Sequence, residues 1–226
     1  MTDISRIEQK FAVTLAQAAK LRQRLALFAR EDPHNGKDGY WVRSVYLDTP
    51  ANRDYLDKRS GENCRRKVRL RVYGNEKTAQ LELKEKLGAY QRKRSLGLNG
   101  LQAEAVLRGD YSFLKDMKAD FAGELYLLLV TRCYRPMALV SYRRRAYFLP
   151  ENDTRITFDG ALSTGPVERG LPFREPMLPV FAGGWLTLEV KYRDFLLSNL
   201  KVVLEDGLLP QDSIGKYSLS RQALGM

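Results

Sequence analysis

The 226-residue sequence is poor in the residues on which much metal and redox chemistry depends. It contains two cysteines, Cys64 and Cys133, and one histidine, His34. The cysteines are far apart and form no CxxC motif or Cys/His cluster, which argues against a disulfide framework or a structural zinc site. His34 lies in a Pro-His-Asn-Gly stretch typical of a loop, so neither a Ser-His-Asp triad nor a histidine-rich metal site is expected. Both cysteines are predicted to be free thiols in a reducing compartment.

Long hydrophobic runs and glycine-rich nucleotide motifs are also missing. The longest apolar run, at residues 125–130, is far shorter than the ~20 residues that span a membrane, and residues 1–15 are too polar for a signal peptide. Neither GxGxxG nor GxxxxGK[ST] occurs, so Rossmann and P-loop nucleotide sites are unsupported. No linker-like stretch divides the chain. The sequence therefore predicts a soluble, cytoplasmic protein with one domain, residues 1–226.

Positive charge is abundant. The sequence has 38 Lys plus Arg against 27 Asp plus Glu, a formal net charge of +11, and a pI of about 9.7. Hydrophobic residues make up 44% of the chain, which is enough for a buried core. An excess of positive charge of this size indicates a polyanionic partner.

Strict alternation of apolar and charged residues marks the clearest strands, at residues 66–73, 79–86 and 185–193. In the first, Val68 and Leu70 lie on one face and Arg69 and Arg71 on the other. Weaker strand patterns lie at residues 6–13, 42–48, 92–98, 137–148 and 155–162. Helices are predicted at residues 15–28, with Thr14 as N-cap, and at 52–58, 101–107, within 111–130, and at 195–206. This pattern of about eight strands with intervening helices is an α+β fold.

Cations two residues apart on one strand face repel one another unless an anion neutralises them. The charged face of a single strand is most simply explained as solvated surface, but that explanation weakens when several strands repeat the pattern. If the sheet closes into a barrel, its aliphatic faces would pack outward under the helices. The charged faces would then line a water-filled tunnel.

Eight segments also carry a resemblance that covers nearly the whole chain. They are RIEQKF (6–11), SVYLDTPANRDYL (44–56), RKVRLRVYG (66–74), LELKEK (81–86), SYRRRAYF (141–148), RITFD (155–159), LEVKYRDF (188–195) and SIGKYSLSR (213–221). With these segments, the chain resembles the polyphosphate-polymerase domain of the vacuolar transporter chaperone (VTC) complex, within the triphosphate tunnel metalloenzymes related to CYTH domains. The fold that this implies is an antiparallel eight-stranded closed β-barrel around a tunnel, with helices packed outside.

The resemblance implies an ATP-dependent polyphosphate polymerase, with ATP and polyphosphate as its partners and Mn²⁺ (or Mg²⁺) as cofactor. The positions that match the family's phosphate ligands are Lys10, Arg69, Arg71, Lys84, Arg144, Arg155 and Lys216. Strand parity adds Lys93, because Leu96 and Leu98 would face outward, although a slip of one residue would substitute Arg92 or Arg94.

Glu189 matches the family's metal-binding glutamate, and its alternative role is a salt bridge to Lys191 or another tunnel cation. Glu8 and Glu82 also face inward and would assist the metal or orient Lys10 and Lys84. The ExExK pattern of the tunnel enzymes has Arg6 here at its first glutamate position, which leaves Glu8 and Lys10. Fewer acids and more bases favour a long polyanionic product over hydrolysis with two metal ions. The remaining expectations are phosphate contacts for Tyr217 and Ser218, a place for Lys191 among the binding residues, and structural roles for Asp48 and Asp159.

Three alternatives stay open at this point: a tunnel triphosphatase or nucleotide-cyclising enzyme, a non-catalytic polyphosphate-binding module, and a nucleic-acid binder. Nucleic acid is not expected as a partner, because the tyrosines lie among apolar residues and are predicted to be core; they are Tyr40, Tyr46, Tyr126, Tyr134 and Tyr192. The family relationship leaves room for a membrane-protein partner encoded separately.

Overall fold

The computed structural model describes residues 7–74, 78–88, 90–167, 177–181, 183–205 and 215–225. The strands are β1 (Ile7–Thr14), β2 (Arg30–Glu31), β3 (Tyr40–Asp48), β4 (Cys64–Tyr73), β5 (Ala79–Leu87), β6 (Tyr90–Leu98), β7 (Arg135–Leu149), β8 (Thr154–Gly165), β9 (Leu178–Pro179) and β10 (Trp185–Tyr192). The helices are α1 (Leu15–Leu25), α2 (Arg53–Arg59), α3 (Gly100–Leu107), α4 (Asp120–Thr131), α5 (Ser198–Glu205) and α6 (Lys216–Ala223). Within these ranges, no helix has the combination of length and hydrophobicity that crossing a bilayer requires.

The chain divides into two compact units, and β3, β7, β8 and β9 contribute residues to both. Unit 1 comprises Met1–Trp41, Tyr142–Ser163 and Pro179–Gly215. Its strands follow the order β1-β10-β8-β7, and the pairings of β1 with β10, β10 with β8 and β2 with β7 are antiparallel. The apolar side chains of these strands pack with those of α1 and α5; the buried set is Phe11, Val13, Ala18, Leu21, Leu25, Tyr147, Leu149, Ile156, Phe158, Leu188, Val190, Tyr192, Leu200, Val203 and Leu204.

Helix α1 begins where the sequence predicts it, because its first turn is capped locally. Thr14 Oγ1 accepts a hydrogen bond from the Gln17 amide at 3.2 Å, and Gln17 Oε1 accepts one from the Thr14 amide at 2.9 Å. This capping box satisfies two backbone donors that the helix itself leaves unpaired.

Unit 2 comprises Val42–Ser141, Thr164–Leu178 and Lys216–Met226. Its strands follow the order β7-β3-β4-β5-β6, and the pairings of β3 with β4, β4 with β5 and β5 with β6 are antiparallel. Their aliphatic faces pack against α3 and α4; the buried core is Leu47, Val68, Leu70, Ala79, Leu81, Leu83, Leu96, Leu98, Ala103, Val106, Tyr111, Leu114, Ala122, Leu125, Leu129 and Tyr134. The charged strand face is therefore turned away from α1 and α5 in unit 1 and from α3 and α4 in unit 2.

The predicted α+β class and the antiparallel sheet are confirmed, and each of the eight predicted strands is found. Strands β2 and β9 were not predicted, because two residues are too few to show alternation. The sequence also gave no helix signal for α6. Closure of a barrel is not confirmed: in the described part of the chain, the terminal strands β1 and β6 are not hydrogen-bonded to each other. Residues 6 and 206, predicted to begin β1 and end α5, lie outside the described residues.

Candidate functional site

The polar face of unit 2 is strongly cationic. Val68 and Leu70 lie in the core, so the residues that alternate with them on β4 lie on the opposite face, and pairing extends this face to β5 and β6. The face carries seven cations, which we call the cation face: Arg65, Lys67, Arg69, Arg71, Lys84, Lys86 and Lys93. On the described residues of these three strands, the only carboxylate on the same face is that of Glu82.

Glu82 lies among three of these cations. Its side chain is buried, with Oε2 at 2.5 Å from Arg69 Nε and 3.9 Å from Arg71 Nη1, and Oε1 at 2.5 Å from Lys93 Nζ. Burial raises the pKa of Glu82, but the charges of Arg69 and Arg71 and the contact with Lys93 outweigh it and lower the pKa to about 2. Glu82 is thus ionised across the physiological pH range, and the cation face keeps a large net positive charge.

The structure places Lys93, and not its neighbours, beside Glu82. Leu96 and Leu98 are buried against the helices, as predicted, and Arg94 shares their side of the sheet. The Arg94 guanidinium donates to Glu124 at 2.5 Å and Glu85 at 3.3 Å and lies 4.3 Å from the Phe121 ring centroid. Arg94 therefore ties the outer side of the sheet to α4, whereas Lys93 remains the candidate ligand.

Tyr46 is buried as expected but lies on the cation face and not in the apolar core. Arg69 Nη1 donates a hydrogen bond to its hydroxyl at 3.4 Å, and Lys67 Nζ lies 5.8 Å from the ring centroid. Parity could have shown this, because Tyr46 alternates with the core residues Val45 and Leu47. It is a residue of the site that the sequence-based assignment missed.

The C-terminal helix α6 adds Lys216, Tyr217 and Ser218 to unit 2. Tyr217 is buried, its hydroxyl donates to Asp48 Oδ2 at 2.9 Å, and its ring stacks on that of Tyr46 with centroids 4.9 Å apart. These contacts give Tyr217 a structural role, and its predicted phosphate contact stays a prediction. Lys216 and Ser218 are half-buried on the same helix, and their predicted roles stay predictions.

Asp48 is structural, as the sequence suggested. Its carboxylate accepts hydrogen bonds from the backbone amides of Thr49, Asp54 and Tyr55 at 2.7–3.0 Å. With the bond from Tyr217, these contacts attach the start of α2 and helix α6 to the end of β3.

In unit 1, register brings four predicted site residues into one group of ion pairs. Glu8 and Lys10 of β1 pair with Lys191 and Glu189 of β10. Lys10 Nζ lies 2.7 Å from Glu8 and 3.9 Å from Glu189, and Lys191 Nζ lies 2.5 Å from Glu189 and 3.7 Å from Glu8. Each carboxylate therefore contacts both lysines, and the salt bridge considered as the alternative role of Glu189 is present. Arg6 lies outside the described residues.

This carboxylate–lysine group fits a divalent cation only if phosphate completes the coordination. Within the described ranges, no three His, Cys, Asp or Glu side chains converge. Two hydroxyls beside Glu189, Thr157 Oγ1 across the strand pair and Thr187 Oγ1 on the same strand, are buried and make no hydrogen bond within that part of the chain. Mg²⁺-like ions bind through one or two carboxylates plus phosphate oxygens and water, so these residues fit such a shared site.

Arg144 of β7 is paired with Asp159 of β8. Its Nε and Nη2 donate to Asp159 Oδ1 and Oδ2 at 2.7 and 2.8 Å, and both side chains are buried. Although burial lowers the pKa of Arg144, the Asp159 carboxylate keeps it well above its usual value. This bidentate pair gives Asp159 the structural role predicted for it, and it occupies much of the guanidinium that the sequence assigned to phosphate.

Arg155 is more accessible. Its Nη2 donates to Asp32 Oδ2 at 3.1 Å and to the Tyr40 hydroxyl at 3.3 Å, and its side chain is 44% exposed. Tyr40 is therefore not simply a core residue, as the sequence suggested. Arg155 shares its strand face with Asp159 and Thr157, so it remains a candidate phosphate ligand.

Comparison with known proteins identifies the family. Three solved structures cover 94–100% of this chain. Two are candidate adenylate cyclases, from Vibrio parahaemolyticus (11% identity, 100% of that chain covered, TM-score 0.54) and from Bacillus halodurans (14% identity, 96% of that chain covered, TM-score 0.53). The third is a candidate adenylyl cyclase from Hippeastrum that is described as having a dominant triphosphatase activity (12% identity, 95% of that chain covered, TM-score 0.57). At these identities the likeness shows a shared fold. No curated protein matches the chain. The VTC domain profile matches residues 5–224, so the chain belongs to the VTC domain family.

Proposed function

We propose that this protein is an ATP-dependent polyphosphate polymerase, which transfers the γ-phosphoryl group of ATP to a polyphosphate chain. The observation that carries the proposal is the cation face, where seven cations on three adjacent strands accompany the single carboxylate of Glu82. Repulsion between these cations is relieved by a polyanion that contacts several of them at once, and a chain of phosphates has the required charge spacing. Membership of the VTC domain family supports the same conclusion.

The residues of this face suit phosphoryl transfer. Such transfer passes through a loose transition state, so catalysis depends on positioning and on neutralising oxygen charge. Arg69 and Arg71 can donate paired hydrogen bonds to phosphate oxygens, and Lys84 and Lys93 act as compact charges. The acceptor is an ionised terminal phosphate, so the reaction needs no general base. The exposed His34, hydrogen-bonded to Asp32, need not participate.

Two further features belong to this proposal. A closed eight-stranded barrel would enclose the growing polymer and exclude competing acceptors. Mn²⁺ or Mg²⁺, held by Glu189 and Glu8, would supply neutralisation of phosphate oxygen charge when bound. Lys10 and Lys191 hold both carboxylates in place, and Thr157 and Thr187 offer hydroxyls to water or phosphate at the same position.

The proposal predicts a polyphosphate ladder when the protein is incubated with ATP, Mn²⁺ and a short polyphosphate primer, with products resolved on a stained gel. Glu189→Gln should reduce polymer formation about 100-fold or more, because it removes a charged ligand while keeping the side chain's shape. Glu104→Gln, on the exposed surface of α3, is the matched control and should leave the ladder unchanged. A folded protein that consumes no ATP and makes no polymer would disprove the polymerase.

A tunnel triphosphatase is the second candidate, because the Hippeastrum protein with the same fold is described as having that activity. Its expected product is orthophosphate from ATP or tripolyphosphate, without a ladder. The small number of carboxylates favours the polymerase, since the carboxylate–lysine group offers two acids to a metal and the cation face offers one. Measuring orthophosphate and polymer in the same reaction decides between them.

The register of β5 and β6 predicts opposite behaviour for two adjacent cations. Lys93→Met should weaken tripolyphosphate binding about 10- to 100-fold, because a charge-assisted hydrogen bond is worth roughly 1.5–3 kcal/mol. Arg94→Met should leave the affinity unchanged and lower the free energy of unfolding, since Arg94 contacts Glu85, Glu124 and Phe121. Isothermal titration calorimetry and urea unfolding measure the two quantities. Equal losses of affinity in both variants would contradict the assignment of Lys93.

A further inference from the structure

Tyr46 lies where a phosphate-binding face would ordinarily have only cations. Its side chain is 3% exposed, Arg69 Nη1 donates to its hydroxyl at 3.4 Å, and Lys67 Nζ lies over its ring at 5.8 Å from the centroid. The ring of Tyr46 also stacks on that of Tyr217. The phenol oxygen therefore contacts a residue that the proposed function assigns to phosphate.

The groups around Tyr46 favour its negatively charged form. Arg69, Lys67 and Arg71 face it from β4, Tyr217 faces it from α6, and Asp48 shares its strand face on β3. The Asp48 carboxylate is bound by three backbone amides and by the Tyr217 hydroxyl. Burial raises the pKa of Tyr46, but the charges of Arg69, Lys67 and Arg71 and the hydrogen bond from Arg69 lower it from 10 to about 7.

We infer that Tyr46 is a proton-linked positioning residue: without phosphate, its phenolate accepts the hydrogen bond from Arg69 and faces the charge of Lys67, and it takes up a proton from solvent when a phosphate oxygen binds these two cations. The phenolate keeps the two cations oriented and partly neutralised while the face is empty. Once phosphate supplies the negative charge, a second anion at the same place would be repelled, and protonation removes that repulsion. The inference rests on the phosphate-binding part of the proposed function.

Other tyrosines of unit 2 provide comparisons. Tyr73 also accepts a hydrogen bond from Arg71, at 2.9 Å, but it is more exposed to solvent, so a smaller response is expected. Tyr111 is buried in the apolar core, and its hydroxyl donates to the Tyr134 carbonyl at 2.8 Å. Burial raises the pKa of Tyr111. Tyr111→Phe is therefore the matched control, since it removes a buried hydroxyl at a site without cations.

The test is calorimetric titration with tripolyphosphate at pH 8 in buffers that differ in ionisation enthalpy, which gives the number of protons taken up on binding. Tyr46→Phe should take up nearly one proton fewer than the wild type, and Tyr111→Phe should match the wild type. From pH 6 to pH 8, tripolyphosphate affinity of the wild type should fall about 10-fold relative to that of Tyr46→Phe, because a growing fraction of Tyr46 must first be protonated. The tyrosinate absorbance of the wild type at pH 8 should decrease on saturation.

Equal proton uptake by the wild type and Tyr46→Phe would overturn the inference, as would absent tripolyphosphate binding. If Tyr46→Phe does not fold, the absorbance experiment on the wild type decides, and an unchanged tyrosinate signal at saturation would overturn it. Neither readout requires ATP turnover. Proton uptake that depends on Tyr46, without a polymer ladder, would therefore reject the polymerase and support the inference about Tyr46. A polymer ladder without this proton uptake would support the polymerase and reject the inference.

Discussion

Replacing Arg144 by methionine is expected to lower the free energy of unfolding by about 3–5 kcal/mol, because it leaves the buried Asp159 carboxylate without its bidentate partner. Methionine keeps most of the side-chain volume, so the loss reports the charge and not a cavity. Urea unfolding followed by circular dichroism measures it. The expected result would show that Arg144 stabilises the folded protein through Asp159, whether or not it also contacts phosphate.

Arg155→Met is the control for this experiment, since Arg155 shares a strand face with Asp159 but its side chain is 44% exposed. It should cost less than about 1 kcal/mol, as solvent-exposed ion pairs generally do. In the double variant Arg144→Met/Asp159→Leu, much of the lost stability should return, because no unpaired charge is left in the interior. An unchanged unfolding midpoint for Arg144→Met alone would show that Asp159 does not depend on this arginine.

Asp54 should make stability depend on pH between about 4 and 7. Its carboxyl is buried beside Asp48, and both oxygens lie 3.0 Å from the Tyr134 hydroxyl. Burial and the nearby Asp48 charge raise the pKa of Asp54 from 3.8 to about 7. The folded state thus holds a proton that the unfolded chain releases above pH 4, so the stabilisation from this group is complete below pH 4 and is lost as the pH rises through 7.

The full effect is about 4 kcal/mol, from three pKa units at roughly 1.4 kcal/mol each. Asp54→Asn keeps an oxygen for Tyr134 but carries no charge, so the variant should be more stable than the wild type at pH 8 and should lack its decline between pH 4 and 7. Asp116→Asn, on the exposed surface, is the matched control and should retain the decline. Parallel pH profiles of the free energy of unfolding for the wild type and Asp54→Asn would contradict the prediction.

Much of the site follows from alternation. Lys93 was assigned from the outward positions of Leu96 and Leu98, and the structure places it beside Glu82 while Arg94 packs on the outer side. The orientation of Lys93 could be predicted because successive residues of a strand face opposite sides and the buried side is apolar. Its role as a phosphate ligand stays a prediction. Applied to β3, the same rule places Tyr46 on the face opposite Val45 and Leu47, but its position among apolar residues suggested that it belongs to the core.

What alternation does not give is which charged groups meet across strands. The bidentate pair of Arg144 with Asp159 joins β7 to β8, and the contact between Tyr217 and Asp48 joins residues 169 positions apart. Each of these residues could have faced a ligand, and its partner became visible only once the strand register and the position of α6 were known. The structural role of Tyr217 was missed for this reason.

The sequence by itself therefore determined eight of the ten strands in the described residues, the capped start of α1, the side of each of these strands that carries charge and the excess of cations over acids. These properties are local, since they depend on side-chain periodicity and composition. Tertiary structure decided how the charges are shared: Glu82 among three cations, Glu189 and Glu8 between two lysines, Arg144 with Asp159, and Tyr46 under Arg69. The physical reason is that an ion pair or a shifted pKa depends on distance and burial, which are properties of the folded chain.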